Sequence, residues 1–216
     1  MLDILLVPPE TAEQRLSTWT TVGIRGRESM ITLCLRPTSP WLPASLRLGK
    51  DPDVLVTHVG IGAGLEGVAM DEASWRPVDD GRGIVIDLPA HCIGGRAPLV
   101  VSAVAPLGPN GGRLPRVRVD DAAWIGGGME LRIASALSLA SIDLEHGAIV
   151  PPEAAARWPL MTPQPGWAEA AGAKGPMDVV EEDGVLPARI YVEEQSPRTV
   201  VMLSLAPRTA AVDVAR

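Results

Sequence analysis

Residues 99–119 read LVVSAVAPLGPNGGRLPRVRV. Two runs rich in Val and Leu, Leu99 to Ala105 and Leu114 to Val119, flank Pro109-Asn110-Gly111-Gly112, a cluster whose residues tolerate positive φ. The pattern predicts a β-hairpin with the two runs as neighbouring antiparallel strands. In Arg116-Val117-Arg118-Val119 charged and β-branched residues alternate, as they do in a sheet with one face in water.

Similar runs recur on both sides. Glu28 to Leu35, Val54 to Val59, Gly83 to Leu88, Glu130 to Leu139, Ala188 to Glu193 and Thr199 to Leu205 are rich in Val, Ile or Leu and bounded by turn residues. Gln195-Ser196-Pro197-Arg198 predicts a second hairpin joining the last two of them. Leu2 to Val7 reads as a short strand ended by Pro8-Pro9. Thr11 and Gln14 have capping-box spacing, and Ala12, Leu16 and Trp19 fall at i, i+4 and i+7, which predicts one short N-terminal helix. Gly126-Gly127-Gly128 reads as a bend or bulge before the strand at Glu130.

Composition agrees with this class. The 216 residues include 22 Gly and 21 Pro, a fifth of the chain, which disfavours long helices. There is no Phe, so six Trp and seven Met are expected to supply the bulky core filling. The expected fold is mainly β, an antiparallel sandwich or barrel-like domain. Its body covers 1–150, a Pro-rich extended arm covers 151–187, and 188–216 forms a C-terminal β-hairpin returning to the body. An Ala run at 154–156 leaves room in the arm for a turn or two of helix.

Net charge is −7 and basic residues form no stripe, which argues against nucleic acid as a partner. The N-terminal apolar run is too short for a signal peptide or a membrane span, so the expected site of synthesis and first residence is the cytoplasm. Two cysteines, Cys34 and Cys92, are too few for a disulfide framework and read as buried thiols.

Motifs for chemistry are sparse. Gly62-Ala63-Gly64-Leu65-Glu66-Gly67 has G-x-G-x-x-G form after a strand-like run, and Asp87 stands twenty residues beyond Gly67. A nucleotide-binding enzyme built on Gly62, Gly64, Gly67 and Asp87 would need a helix over about 65–75 and further strand–helix units, which are not apparent downstream. His58, His91, His146 and the cysteines lack metal-ligand spacing, and His91 and Cys92, if in a strand, point to opposite faces. No catalytic residue, cofactor or metal is assigned. The tryptophans at 19, 41, 75, 124, 158 and 167 suit either a core or the stacking surface of a carbohydrate- or small-molecule-binding β-domain.

Strands joined by Gly/Pro-rich loops, together with the extended arm from Pro151 to Pro187, look like structural proteins of bacteriophage tails and tail tips. That resemblance implies a non-enzymatic subunit of a tail or baseplate, located in the virion, whose partners are other copies of itself or other subunits. Trp158, Leu160, Met161, Trp167 and Met177 are the candidate inter-subunit anchors on the arm.

Overall fold

The computed structural model describes residues 13–62, 71–156, 158 and 188–208. Its elements run β1 (Arg15–Arg25), β2 (Glu28–Pro37), β3 (Ser45–Lys50), β4 (Leu55–Ile61), β5 (Asp71–Glu72), β6 (Ser74–Val78), β7 (Gly83–Asp87) and β8 (Leu99–Pro106). There follow β9 (Gly111–Arg113), β10 (Val117–Val119), β11 (Ala123–Ile133), β12 (Leu137–Glu145), β13 (Gly147–Val150), a single helical turn α1 (Pro152–Ala155), β14 (Ala188–Glu194) and β15 (Val200–Pro207). The protein is mainly β, as its composition predicts.

The strands form three sheets. The largest has eight strands in the order β13-β14-β11-β1-β2-β8-β4-β5; the others are β10-β3-β7-β6 and β12-β15-β9. All pairings are antiparallel except β1 with β11, which run parallel at the centre of the large sheet. β1 and β2 are joined through a tight turn in which Gly26 takes φ 60°, so that Arg25 faces Glu28. One continuous apolar cluster draws on all three sheets, for example Leu16, Leu33, Leu99 and Leu131 from the first, Leu48 and Ile84 from the second, and Val201 and Leu203 from the third.

Several expectations are corrected. The N-terminal helix is absent where it is described: Leu16 and Trp19 lie in β1, and only Thr11 and Ala12 fall outside the described residues. The run Thr18, Thr20, Thr21, Val22 is β-branched, and its burial alternates, so the apparent helical spacing was incidental to a two-faced strand. The predicted strand Leu2 to Val7 also lies outside the described residues. Glu130 to Leu139 is split between β11 and β12.

Neither predicted hairpin forms. The turn at 108–111 exists, with Gly111 N–H donating to Gly108 O at 2.9 Å, but β8 pairs with β2 and β4 whereas β10 pairs with β3. The chain leaves the turn as β9 and joins β15. Likewise 188–208 is no hairpin, because β14 pairs with β11 and β13 in the large sheet while β15 pairs with β12 and β9. In both places a good local turn carries the chain from one sheet to another. Arg116, placed on the wet face by its alternation, is buried.

The bulky residues are also redistributed. Among the described residues Trp41 and Met129 are the buried Trp and Met, and Leu, Ile and Val fill the core. Trp19, Trp75, Trp124 and Trp158 are half-buried.

A bulge stands beside the triple glycine, but the glycines lie inside β11, paired with β1, and not ahead of the strand. Leu16 faces Trp124 but Ser17 faces Gly126, leaving Ile125 as the extra residue. At Gly127 the backbones and side chains close in: a Cβ there would lie 2.6 Å from both the Thr18 carbonyl oxygen and Glu194 Oε2, with Thr18 Oγ1 nearer still. Gly127→Ala is therefore expected to lower stability by about 1–3 kcal/mol through overpacking of rigid backbone. Urea denaturation of the two proteins checks this, and an unchanged midpoint would contradict it.

Candidate ligand cleft

The bulge sets the position of Trp124. Its indole Nε1–H donates to Thr18 Oγ1 at 2.8 Å, and the Thr18 hydroxyl donates to Glu194 Oε2 at 3.2 Å. The other oxygen of Glu194 pairs with Arg116 Nη2, and Arg116 Nη1 donates to the Thr199 carbonyl. The Glu194 side chain is fully buried and that of Arg116 nearly so. A four-residue relay thus orients the indole from beneath.

Two adjoining depressions share Trp124. The first, about 680 Å³, is lined by Arg113, Arg116, Arg118 and Arg198 beside Asp120. Arg118 also reaches Asp51 at 3.4 Å, whereas Arg113 and Arg198 are exposed and make no ion pair among the described residues. The second, about 470 Å³, is lined by Trp19, Trp124 and Trp158 together with Ser17, Glu193, Glu194 and Gln195. Trp19 and Trp158 stand 5.3 Å apart at 45°, and Trp158 meets Tyr191 edge-on at 6.1 Å. Gly128 lies under both indoles, where a Cβ would come within 2.9 Å of each. Half the chain's tryptophans therefore line one depression, which shares Trp124 with an arginine-lined groove.

Of the predicted arm anchors, Trp158 is described and rests on Trp19 and Tyr191 of its own chain; Leu160, Met161, Trp167 and Met177 lie outside the described residues. The glycine motif is not assembled for a nucleotide. Gly62 forms a bend after β4, Gly64 and Gly67 lie outside the described residues, and Trp75, at the end of the helix the motif would need, is in β6. Asp87 ends β7 in a different sheet from β4, and every described pairing of β4 is antiparallel, so among the described residues there is no parallel β-α-β unit there.

Cys34 is a core residue, packed with Val100 and Trp19. His91 and Cys92 are not in a strand but in a 3₁₀ turn, Ala90–Cys92, which lets both reach Asp71. Burial and the Asp71 carboxylate push the Cys92 thiol above its ordinary range, the reverse of what a thiolate nucleophile needs.

Sequence reasoning passed over the arginine groove because its members come from two separated segments, 113–118 and 198. The spacing Arg113, Arg116, Arg118 before a turn-rich stretch was the visible trace.

No family model and no curated protein matches the chain. Among solved structures it is similar to the M1 zinc metallopeptidase from Deinococcus radiodurans, at 10% identity and a TM-score of 0.41, over 89% of this chain and 42% of that one. A mutant of that enzyme bound to a Tyr-Ser-Ala substrate aligns at 9% identity and a TM-score of 0.40 with the same coverage. The chain spans less than half the length of these structures, and a likeness of this degree carries nothing about activity.

Burial pushes the Glu194 carboxyl above the usual carboxylate range, opposed by the charge and hydrogen bond of Arg116 and by the Thr18 hydroxyl. The folded chain then holds a proton that the unfolded chain has lost, between the ordinary carboxylate pKa and the raised one. Stability falls as pH rises through that window and is fully present below it. Glu194→Gln is expected to flatten this part of the stability–pH curve. Arg116→Met leaves the carboxylate buried and unpaired, and is expected to cost about 3–5 kcal/mol at neutral pH. Urea denaturation across the acid-to-neutral range reads both.

Proposed function

We propose that this chain is a non-enzymatic β-domain that binds an anionic oligosaccharide along the Trp–Arg cleft. The observation that carries the reading is the convergence of Trp19, Trp124 and Trp158 on one depression that shares Trp124 with a groove lined by four arginines. Indole faces stack on the apolar C–H faces of sugar rings, and guanidinium groups pair with carboxylate or sulfate in bidentate fashion. The relay beneath Trp124 holds its ring in place before any ligand arrives, which lowers the ordering cost of binding. The carboxylate nearest the indoles in this relay, Glu194, has both oxygens engaged by Arg116 and Thr18, so it is a structural group and not a proton donor to a ligand.

Calorimetry with uronate-containing and sulfated oligosaccharides, against a neutral β-glucan oligosaccharide and a single-stranded oligonucleotide, tests this. Binding of the acidic sugars is expected to exceed that of the neutral one, and Trp124→Ala is expected to weaken it at least about tenfold, in line with the loss of a stacked aromatic. Arg198→Ala should weaken the acidic sugars selectively and reduce the salt dependence of binding. Equal affinity for neutral and acidic sugars, or a preference for the oligonucleotide, would overturn the assignment.

A second reading, a structural subunit of an assembly such as a phage tail or baseplate, draws support from the end of the large sheet. Among the described residues β13 is an edge strand, and Ile149 on it is 55% exposed, a place where a strand of another subunit can add. Light scattering on the native particle separates the cases. A ring or filament mass lost in Ile149→Lys supports assembly, and a 22.7 kDa monomer ends that reading.

A further inference from the structure

Away from the cleft, β5 and the loop 89–97 bring three unlike ligand groups together. The imidazole of His91, the thiol of Cys92 and the carboxylate of Asp71 each offer a ligand atom, and these atoms all lie within 4.8 Å of one another. His91 Nε2 and Asp71 Oδ2 are in contact at 2.7 Å. Cys92 is 7% exposed and its sulfur makes no hydrogen bond among the described residues, while His91 and Asp71 are open to solvent. A buried cysteine thus lies beside two solvent-exposed ligand groups.

The loop that carries two of the three is held rigidly. Cys92 N–H donates to Pro89 O at 2.8 Å and Gly95 N–H to Cys92 O at 3.0 Å, making successive tight turns. The fully buried Trp41 then clamps the far side: Gly94 N–H donates to Trp41 O and Trp41 N–H to Gly95 O, each at 2.8 Å, and the indole Nε1–H donates to Ala97 O at 2.7 Å. Asp71 is fixed separately, by the pairing of β5 with β4 that sets it opposite Ile61. Gly62 N–H donating to Pro98 O at 3.0 Å ties the end of β4 to the end of the loop.

We propose that Asp71, His91 and Cys92 form a zinc(II) site. One thiolate, one imidazole and one carboxylate are a donor set for zinc rather than for magnesium or calcium, which take oxygen ligands. In a tetrahedral site zinc stands about 2.3 Å from sulfur and about 2.0–2.2 Å from nitrogen and oxygen, which places the ligand atoms roughly 3.3–3.6 Å apart. The Asp71–His91 contact opens by about 0.7 Å and the sulfur approaches by at most about 1.3 Å to reach this geometry. Water fills the fourth position. Binding forms three metal–ligand bonds, and the Cys92 thiol releases its proton to solvent; nothing is oxidised or reduced.

Cobalt(II) titration of the metal-stripped full chain tests the site, because a cobalt–thiolate bond gives a charge-transfer band that a nitrogen or oxygen site lacks. The band is expected in the wild type, displaced by about one equivalent of zinc. It should persist in Cys34→Ser, whose sulfur lies in the core, and vanish in Cys92→Ser. His91→Ala, a change at an exposed side chain, should fold normally and bind zinc at least tenfold more weakly by competition with a chromophoric chelator. No band in the wild type, a band that survives Cys92→Ser, or zinc affinity unchanged in His91→Ala would overturn the proposal.

Discussion

The three sheets meet at one buried ion pair. Glu194 closes β14 of the large sheet, Arg116 stands just before β10 at the edge of the second, and the Thr199 carbonyl that Arg116 also engages leads into β15 of the third. Removing two charges from water costs several kcal/mol per ion, and the attraction between them offsets this only when the remaining donors and acceptors are satisfied. Here they are: Thr18 takes the second Glu194 oxygen, and Trp124 donates to Thr18 in turn. The pair therefore fixes the relative placement of the sheets more than it adds to stability. Because the relay ends on Trp124, the same interaction that joins the sheets also orients the cleft.

Absence of Phe has a consequence beyond the core. Branched aliphatic side chains fill the core here, with Trp41 the fully buried indole among the described residues. Trp41 serves a second purpose through its backbone and Nε1 bonds, which hold the loop bearing His91 and Cys92. The other described tryptophans are left at the surface of the body, and three of them gather over the glycines of β11. Gly127 and Gly128 make this possible in different ways, the first by letting Thr18 and Glu194 approach the backbone, the second by leaving a floor for two indoles.

Val, Ile and Leu runs mark many of the strands, and the turn at 108–111 stands where glycine and asparagine placed it, but the helical spacing of Leu16 and Trp19 belongs to a strand, and long-range pairing left no local trace. Yet a turn reports only that the chain reverses; the partner of each strand depends on which apolar face finds which other face. The parallel pairing of β1 with β11 joins residues more than a hundred positions apart, for which no local pattern exists. The candidate sites share this property. His91 and Cys92 are adjacent in sequence and looked incompatible under strand geometry, but a 3₁₀ turn brought both toward Asp71.

The sequence by itself determined a mainly β chain with short strands, Gly and Pro turns, a bulge at the triple glycine and buried thiols, because period-two patterning and backbone tolerance act over a few residues. The tertiary structure alone decided which turns are hairpins and which are crossings between sheets. It also decided that Arg116 is buried rather than wet, and that Trp19, Trp124 and Trp158 line a cleft while Trp41 goes to the core. Those outcomes depend on burial and charge pairing between residues far apart in the chain, where the energy of one placement is set by all the others.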